Sequence, residues 1–253
     1  RDEFVLDRAE IWCSEGLTHR GLSDPGWPGE CSGGMTVQAC YCGAMTTSQR
    51  MDAIEMAQYR RRPFPKTDQA AAYLEMMAQV RKFQDALVAA NPEVAQAQLI
   101  QAQLAELTEL LATLEVPEYE QLYALGDMGM SDSQALVPPL TLDHFDDDEL
   151  HAHFQPGLFA MGMNQAMHGG VISLIFDSAM GRMAAGPRGI PCRTAYLNTQ
   201  FRNVAPIGVR LELRARLESV EGRKRLVSAQ MWHGETLCAE ADALFVAVRA
   251  GHQ

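Results

Sequence analysis

Residues 163–186 read MNQAMHGGVISLIFDSAMGRMAAG. Taken as a helix opening at the glycines, the stretch is apolar nearly all the way round, through Val171, Ile172, Leu174, Ile175, Phe176, Ala179, Met180 and Met183. A helix with no polar face is a buried helix, so the text predicts a core helix. Asp177 stands alone on it, where an ionised carboxylate is costly unless something uses it. At the start of the helix, His168, Gly169 and Gly170 leave first-turn N–H groups without intrahelical acceptors. Such groups can receive an oxyanion or a polarised carbonyl. A carbonyl-polarising end and a lone acid on one core helix form an active-site pattern. The plainer reading is a glycine-initiated core helix whose aspartate caps a neighbouring loop.

Distance adds a second expectation. The nine residues from His168 to Asp177 span roughly 13 Å of helix at 1.5 Å per residue. Gly169 and Asp177 of one copy therefore cannot touch the same carbonyl. Acting together, they require a second copy, with two such helices antiparallel about a two-fold axis. The expectation is a homodimer with shared sites.

Outward from the helix, four strands are expected at 193–203, 208–220, 224–233 and 236–248. The text VRLELRARL alternates at period two, and the last segment places Leu237, Ala239, Ala241, Ala243 and Phe245 on one face. Glu221-Gly222 and His233-Gly234 read as the turns between strands. Ahead of the helix, LTLDHF (140–145) and ELHAHF (149–154) flank the acidic turn Asp146-Asp147-Asp148. Hairpin, helix and antiparallel meander make an α+β fold, one long helix wrapped by a curved sheet.

Four pieces of text then carry a family likeness: HGGVISLIFDSAMG, RTAYLNTQFRNVAPIG, LESVEGRKRLVSAQ and AEADALFVAV. With them, residues 137–249 resemble the hotdog-fold acyl-CoA thioesterases of the PaaI type, in particular the branch of thioesterase superfamily members four and five. The resemblance implies an acyl-CoA substrate, no cofactor and no metal, and a homodimer or dimer of dimers. It implies Asp177 as general base or nucleophile, and the Gly169 N–H, with His168 beside it, as the group that polarises the thioester carbonyl. Thr194 would orient the water or the acid. Gly170, Arg202, Asn203, Arg223 and Lys224 fall at or beside substrate-binding positions. Many PaaI-type enzymes carry Asn six residues before the histidine, where this chain has Gly162. Asn164 is the nearby substitute, and the branch named above also lacks that Asn. Hydrolysis of a thioester needs mainly oxyanion stabilisation and an activated water, which one carboxylate and helix-terminal N–H groups supply.

The chain's net charge of −11 over 253 residues argues against nucleic acid as a partner. Ten of its 21 Lys and Arg lie between Arg182 and Arg225, and none between Phe83 and Gly181. Positive charge gathered beside the helix suits a phosphorylated ligand. Arg223 and Lys224, in a turn, are the expected contacts. Arg210, Arg214 and Arg216 fit better as the solvated face of an alternating strand. His151 and His153 share a strand face with His144 nearby, and are expected as packed or solvated side chains rather than metal ligands.

Residues 45–133 are expected as a helical N-terminal region. Thr67–Ala90 forms one helix, with Leu74, Met77, Val80, Phe83 and Leu87 on its apolar side. Asn91-Pro92 starts a second by the Asn-cap, Pro-first preference. The second helix carries Ile100, Leu104, Leu107, Leu111 and Leu114 at four-three spacing. It is expected to fold back as a helical hairpin that covers the sheet, or to extend the dimer contact. Residues 134–253 form the hotdog domain. Residues 1–44 hold Cys13, Cys31, Cys40 and Cys42 without hydrophobic periodicity. Their spacing fits no common zinc pairing. With Met45-Thr-Thr-Ser reading as a start, they are expected to be an upstream extension that does not fold stably. No signal peptide or membrane span is legible, and the thiols Cys192 and Cys238 suit the reducing cytoplasm. Two alternatives to hydrolysis stay open: a hotdog hydratase or dehydratase, and a non-catalytic acyl-CoA-binding or regulatory module.

Overall fold

A computed structural model describes residues 64–117, 120–124 and 132–248, all within the unit Arg50–Gln253. The expected extension at 1–44 and the start of the 45–133 region lie outside the described residues.

Two helices come first. Helix α1 spans Asp68–Ala89 and is capped by Thr67, whose hydroxyl accepts from the Ala70 N–H at 3.2 Å. It docks less through the expected apolar stripe than through side chains that bond passing backbone. Met77 is buried, but Phe83 and Leu87 are exposed. Arg81 donates to the carbonyls of Asp132 and Gln134 at 2.8 and 3.1 Å, and Asp85 accepts from the Phe159 N–H at 2.8 Å. Helix α2 spans Val94–Ala112. Its cap is Glu93, not Asn91. The Glu93 N–H donates to Gln96 Oε1 at 2.9 Å, and a reciprocal capping box satisfies two orphan donors at once. α2 does not cover the sheet, for none of its residues is buried. Ala90 and Glu93 are both extended, which carries the second helix away instead of reversing it.

The remaining chain forms one six-stranded antiparallel sheet and one helix. The strands are β1 (Thr141–Phe145), β2 (Glu149–Phe154), β3 (Cys192–Phe201), β4 (Leu211–Glu221), β5 (Lys224–His233) and β6 (Thr236–Ala247), in the spatial order β1-β2-β4-β5-β6-β3. The connecting turns are Gly222-Arg223 and Gly234-Glu235, one residue later than expected. Each puts glycine first, at φ of 59° and 57°. That is the type II′ arrangement, whose twist matches the strands it joins.

Helix α3 (Gly169–Ala185) lies across the inner face of the sheet. Its residues Ile172, Ile175, Phe176, Ala179, Met180 and Met183 are buried against Leu150, Leu213, Val227, Met231, Ala243 and Phe245. The sheet covers only one side of the helix. On the other, Ser173, Leu174, Asp177, Ser178 and Gly181 remain partly open, so in a single chain the helix is half-buried rather than enclosed and Asp177 is not sealed in the core.

Candidate active site

The site begins with a tight reversal ahead of α3. The Ala166 N–H donates to the Met163 carbonyl at 3.0 Å, and the two residues between, Asn164 and Gln165, have φ of 53° and 59°. Two central residues at positive φ make a type I′ turn, in which Asn is favoured at the first position. Backbone conformation thus accounts for Asn164. Gln165 at the second position is a strained choice. The reversal is held by the Met161–Met167 bridge and by the Ile207 N–H donating to the Gln165 carbonyl at 3.0 Å.

His168 follows as the N-cap of α3. Its Nδ1 accepts from the Gly170 N–H at 3.0 Å, which places the ring proton on Nε2 in the neutral form. The N–H groups of Val171 and Ile172 both turn to the His168 carbonyl. That leaves the Gly169 N–H as the first-turn donor with no partner among the described residues. A side chain at Gly169 would meet the Phe201 ring at 3.1 Å, so the backbone here is pressed against the end of β3. The Ser173 hydroxyl ties the same region together, bonding Thr199 Oγ1 at 3.1 Å and the Gly169 carbonyl at 3.2 Å.

Two turns further along α3, Asp177 accepts a hydrogen bond from the Thr194 hydroxyl at 2.8 Å. This contact depends on a bulge in β3. The register with β6 slips between Thr194 and Tyr196. Without it, period-two alternation would send Thr194 to the face opposite Thr199 and Phe201. With it, all three face the helix. The helix therefore presents a lone donor at its start and a hydroxyl-bound carboxylate at its middle, about 12 Å of axial rise further on.

The basic residues divide into two groups. Arg202 is engaged by Glu240 at 2.5 Å and by Gln200, and Asn203 donates to the Leu237 carbonyl at 2.8 Å. Both follow β3 at the Gly169 end. Arg223 and Lys224 sit at the other end, where Lys224 pairs with Val246 and Val246 with Arg193, one row beyond Thr194. Arg223 also donates to the Ala247 carbonyl at 3.1 Å. Arg214 and Arg216 are paired with Glu212 and Glu149 at 3.0 and 3.7 Å on the outer face of the sheet, as expected of a solvated face. His144, His151 and His153 each lie beside a carboxylate, of Asp146, Glu149 and Asp143 respectively.

Gly169, His168, Asp177 and Thr194 are thus brought to one helix and the strand beside it, while Arg223 and Lys224 mark one end of the sheet. Sequence reading missed Phe201, Thr199 and Ser173. Their signal was available in the odd-numbered residues Leu197, Thr199 and Phe201, which share a face at period two.

Comparison with known proteins adds a likeness of family and fold. Residues 164–240 match the family model described as Thioesterase superfamily. The acyl-coenzyme A thioesterase THEM4 of Rattus norvegicus is 38% identical over 95 residues, covering 37% of this chain and 40% of that protein. Its Xenopus laevis counterpart is 35% identical over 95 residues, covering 37% and 42%. The chain thus spans about two-fifths of the length of these relatives. A thioesterase superfamily protein of known crystal structure superposes with a TM-score of 0.60 at 22% identity, covering 74% of this chain and 94% of that one, which establishes the fold. Residues 164–240 are thus similar to the Thioesterase superfamily, and the chain shares its fold with a solved protein of that superfamily.

Proposed function

We propose that the protein hydrolyses acyl-CoA thioesters. The observation that carries this reading is the Asp177–Thr194 pair on the open side of α3, on a helix whose first N–H, at Gly169, has no partner among the described residues. The thioester carbonyl oxygen accepts from the Gly169 N–H, which stabilises the negative charge as it develops. Asp177 takes the proton from a water as its oxygen attacks the carbonyl carbon. Alternatively, the carboxylate attacks directly and water cleaves the resulting anhydride. Thr194 holds the carboxylate in position. The C–S bond breaks, and the thiolate leaves as CoA and recovers a proton.

The two halves of this machinery belong to different copies. Both Asp177 and β3 are open on the same side, and a two-fold axis through the middle of β3 sets the Thr194 end of one strand beside the Thr199–Phe201 end of the other. Asp177 then lies near the partner's Gly169. The same operation brings the partner's Arg202 and Asn203 towards Arg223 and Lys224, where the phosphates of CoA are bound. A dimer of dimers is compatible with this pairing. Cys238 is a buried thiol, in keeping with work in the cytoplasm.

Asp177→Asn keeps the shape and deletes the base, and turnover in a thiol-release assay should fall on the order of 10²–10⁴-fold. Gly169→Pro deletes the other group at a first-turn position, after a residue whose ψ of 131° accepts a following proline, and its ring presses on Phe201, which must give way. Circular dichroism and sizing first establish that the proline variant folds and pairs. Mixed under exchange, the two inactive variants should form heterodimers with one intact site each. Verified heterodimers no more active than either parent would overturn the shared site, and near wild-type turnover in Asp177→Asn would remove that residue from the mechanism.

A further inference from the structure

Strand β3 sends two hydroxyls to α3. Thr194 donates to the Asp177 carboxylate at 2.8 Å, and Thr199 bonds the Ser173 hydroxyl at 3.1 Å. Gly169, Ser173 and Asp177 follow one another at four-residue intervals and so share the side of the helix turned to β3. Ser173 in turn bonds the Gly169 carbonyl at 3.2 Å. A hydroxyl has one proton to give, and the Thr199 hydroxyl supplies the proton for the second bond. We infer, on the hydrolase reading above, that Ser173 anchored by Thr199 is a positioning residue that aims the Gly169 N–H, as Thr194 holds Asp177.

The sequence creates the need for such an anchor. Helix α3 opens on two glycines, the residues that lose most conformational freedom on ordering. A donor stabilises developing charge best when its direction is fixed before the reaction. Side chains hold the Gly169–Gly170 peptide at both of its polar ends. His168 Nδ1 accepts from the N–H of that peptide at 3.0 Å, and Ser173 bonds its carbonyl. The Phe201 ring closes a further side, since a Cβ on Gly169 would stand 3.1 Å from it. A serine that bonds the carbonyl four residues back is ordinary within helices. The second bond of the same hydroxyl, to a strand, ties the glycine start of α3 to the sheet.

Substitutions in the full-length chain test this. Ser173→Ala deletes the tie with a better helix former, and Thr199→Val keeps the shape of a strand residue without its hydroxyl. Ser173→Ala should lower kcat for acyl-CoA about tenfold, the size of one hydrogen bond, with KM little changed. Thr199→Val should fall part of the way, and Thr199→Ser, which keeps the hydroxyl, should stay near wild type. Ser173→Ala combined with Thr199→Val should be no slower than Ser173→Ala alone, because Thr199 acts only through Ser173. Nuclear magnetic resonance on protein labelled at glycine gives a second readout, taken without substrate. The Gly169 amide signal should shift and broaden in Ser173→Ala and keep its place in Thr199→Ser. Wild-type kcat in Ser173→Ala, a loss confined to KM, or an unmoved Gly169 amide would each overturn the proposal. So would a Thr199→Ser variant as slow as Thr199→Val. An active Asp177→Asn sinks the hydrolase reading instead, and the amide signal then still decides whether Ser173 and Thr199 fix Gly169.

Discussion

At one edge of the sheet, β1 is five residues long and has a bulge between Leu142 and His144. It runs straight into three aspartates, with Asp143 beside His153 and Arg210. At the other edge, β3 runs for ten residues and has no charged side chain between Arg193 and Arg202. Tyr196 and Phe201 on it are 45% and 57% exposed. Short, bulged, charged edges are how proteins prevent further strand pairing, and a long uncharged edge invites it. The candidate chemistry sits entirely at the inviting edge: Thr194 is on β3, and both Asp177 and Gly169 face it. The contrast teaches that the proposed chemistry lies at the edge left open to pairing, while the blunted edge carries none of it.

The most drastic way to break this contrast is to blunt β3. Lysines at both Tyr196 and Asn198 set like charges against each other across the two-fold axis. Analytical ultracentrifugation should then show dimer association weakened about a hundredfold, roughly 3 kcal/mol from several like-charge contacts and lost pairing, with turnover falling in step. The matching changes on β1, Thr141→Lys and His144→Lys, should leave the mass unaltered. Equal behaviour at the two edges would dissolve the comparison.

A smaller effect is expected where the β3 side meets the ligand's charge. Lys224→Ala should raise KM for acyl-CoA about fivefold, the size of one exposed ion pair at about 1 kcal/mol, with kcat little changed. The shift should vanish with short acyl thioesters that lack the nucleotide. Lys224 is the cleaner probe of the pair, since Arg223→Ala also removes the bond to the Ala247 carbonyl.

Strain at the α3 entry gives the next effect. Gln165→Gly relieves a positive φ of 59° and should stabilise the fold by about 0.5–1 kcal/mol, raising Tm by about 1–4 °C. A lower Tm in calorimetry would show that the side chain contributes more than the strain costs.

The smallest effect belongs to the blunt edge. Hydrogen bonds from the Glu149 and Asp148 N–H groups, then from His144, hold the Asp146 carboxyl down at about 2, from an ordinary value of 3.8. A depressed carboxylate stabilises the fold above its unfolded value and loses that contribution as pH falls towards the folded one. Protection of the Glu149 amide, measured as exchange relative to the intrinsic rate at each pH, should therefore fall between about pH 4 and pH 2, and Asp146→Asn should lose that acid dependence. An unchanged profile in the variant would assign the acid response to another group.

Much of this architecture is legible along the chain, because it is encoded by near neighbours. Alternation at period two located β4, β5 and β6 to within a few residues, glycine-bearing turns separated them, and HGG followed by a lone acid marked the start of α3 and the carboxylate at its middle. Those patterns are local, and each is repeated often enough to outweigh competing signals. What the tertiary structure alone decided depends on contacts between distant segments. The slip between Thr194 and Tyr196 arises in pairing with β6, and no alternation rule foretells that Thr194 and Phe201 both face the helix. The cap at Glu93 displaced Asn91 because a reciprocal bond with Gln96 satisfies more donors. An apolar helix was expected to be enclosed, yet a single sheet covers only half of α3. Apolarity states that a surface is to be covered, whereas which surface covers it, and from which copy, is settled only by packing.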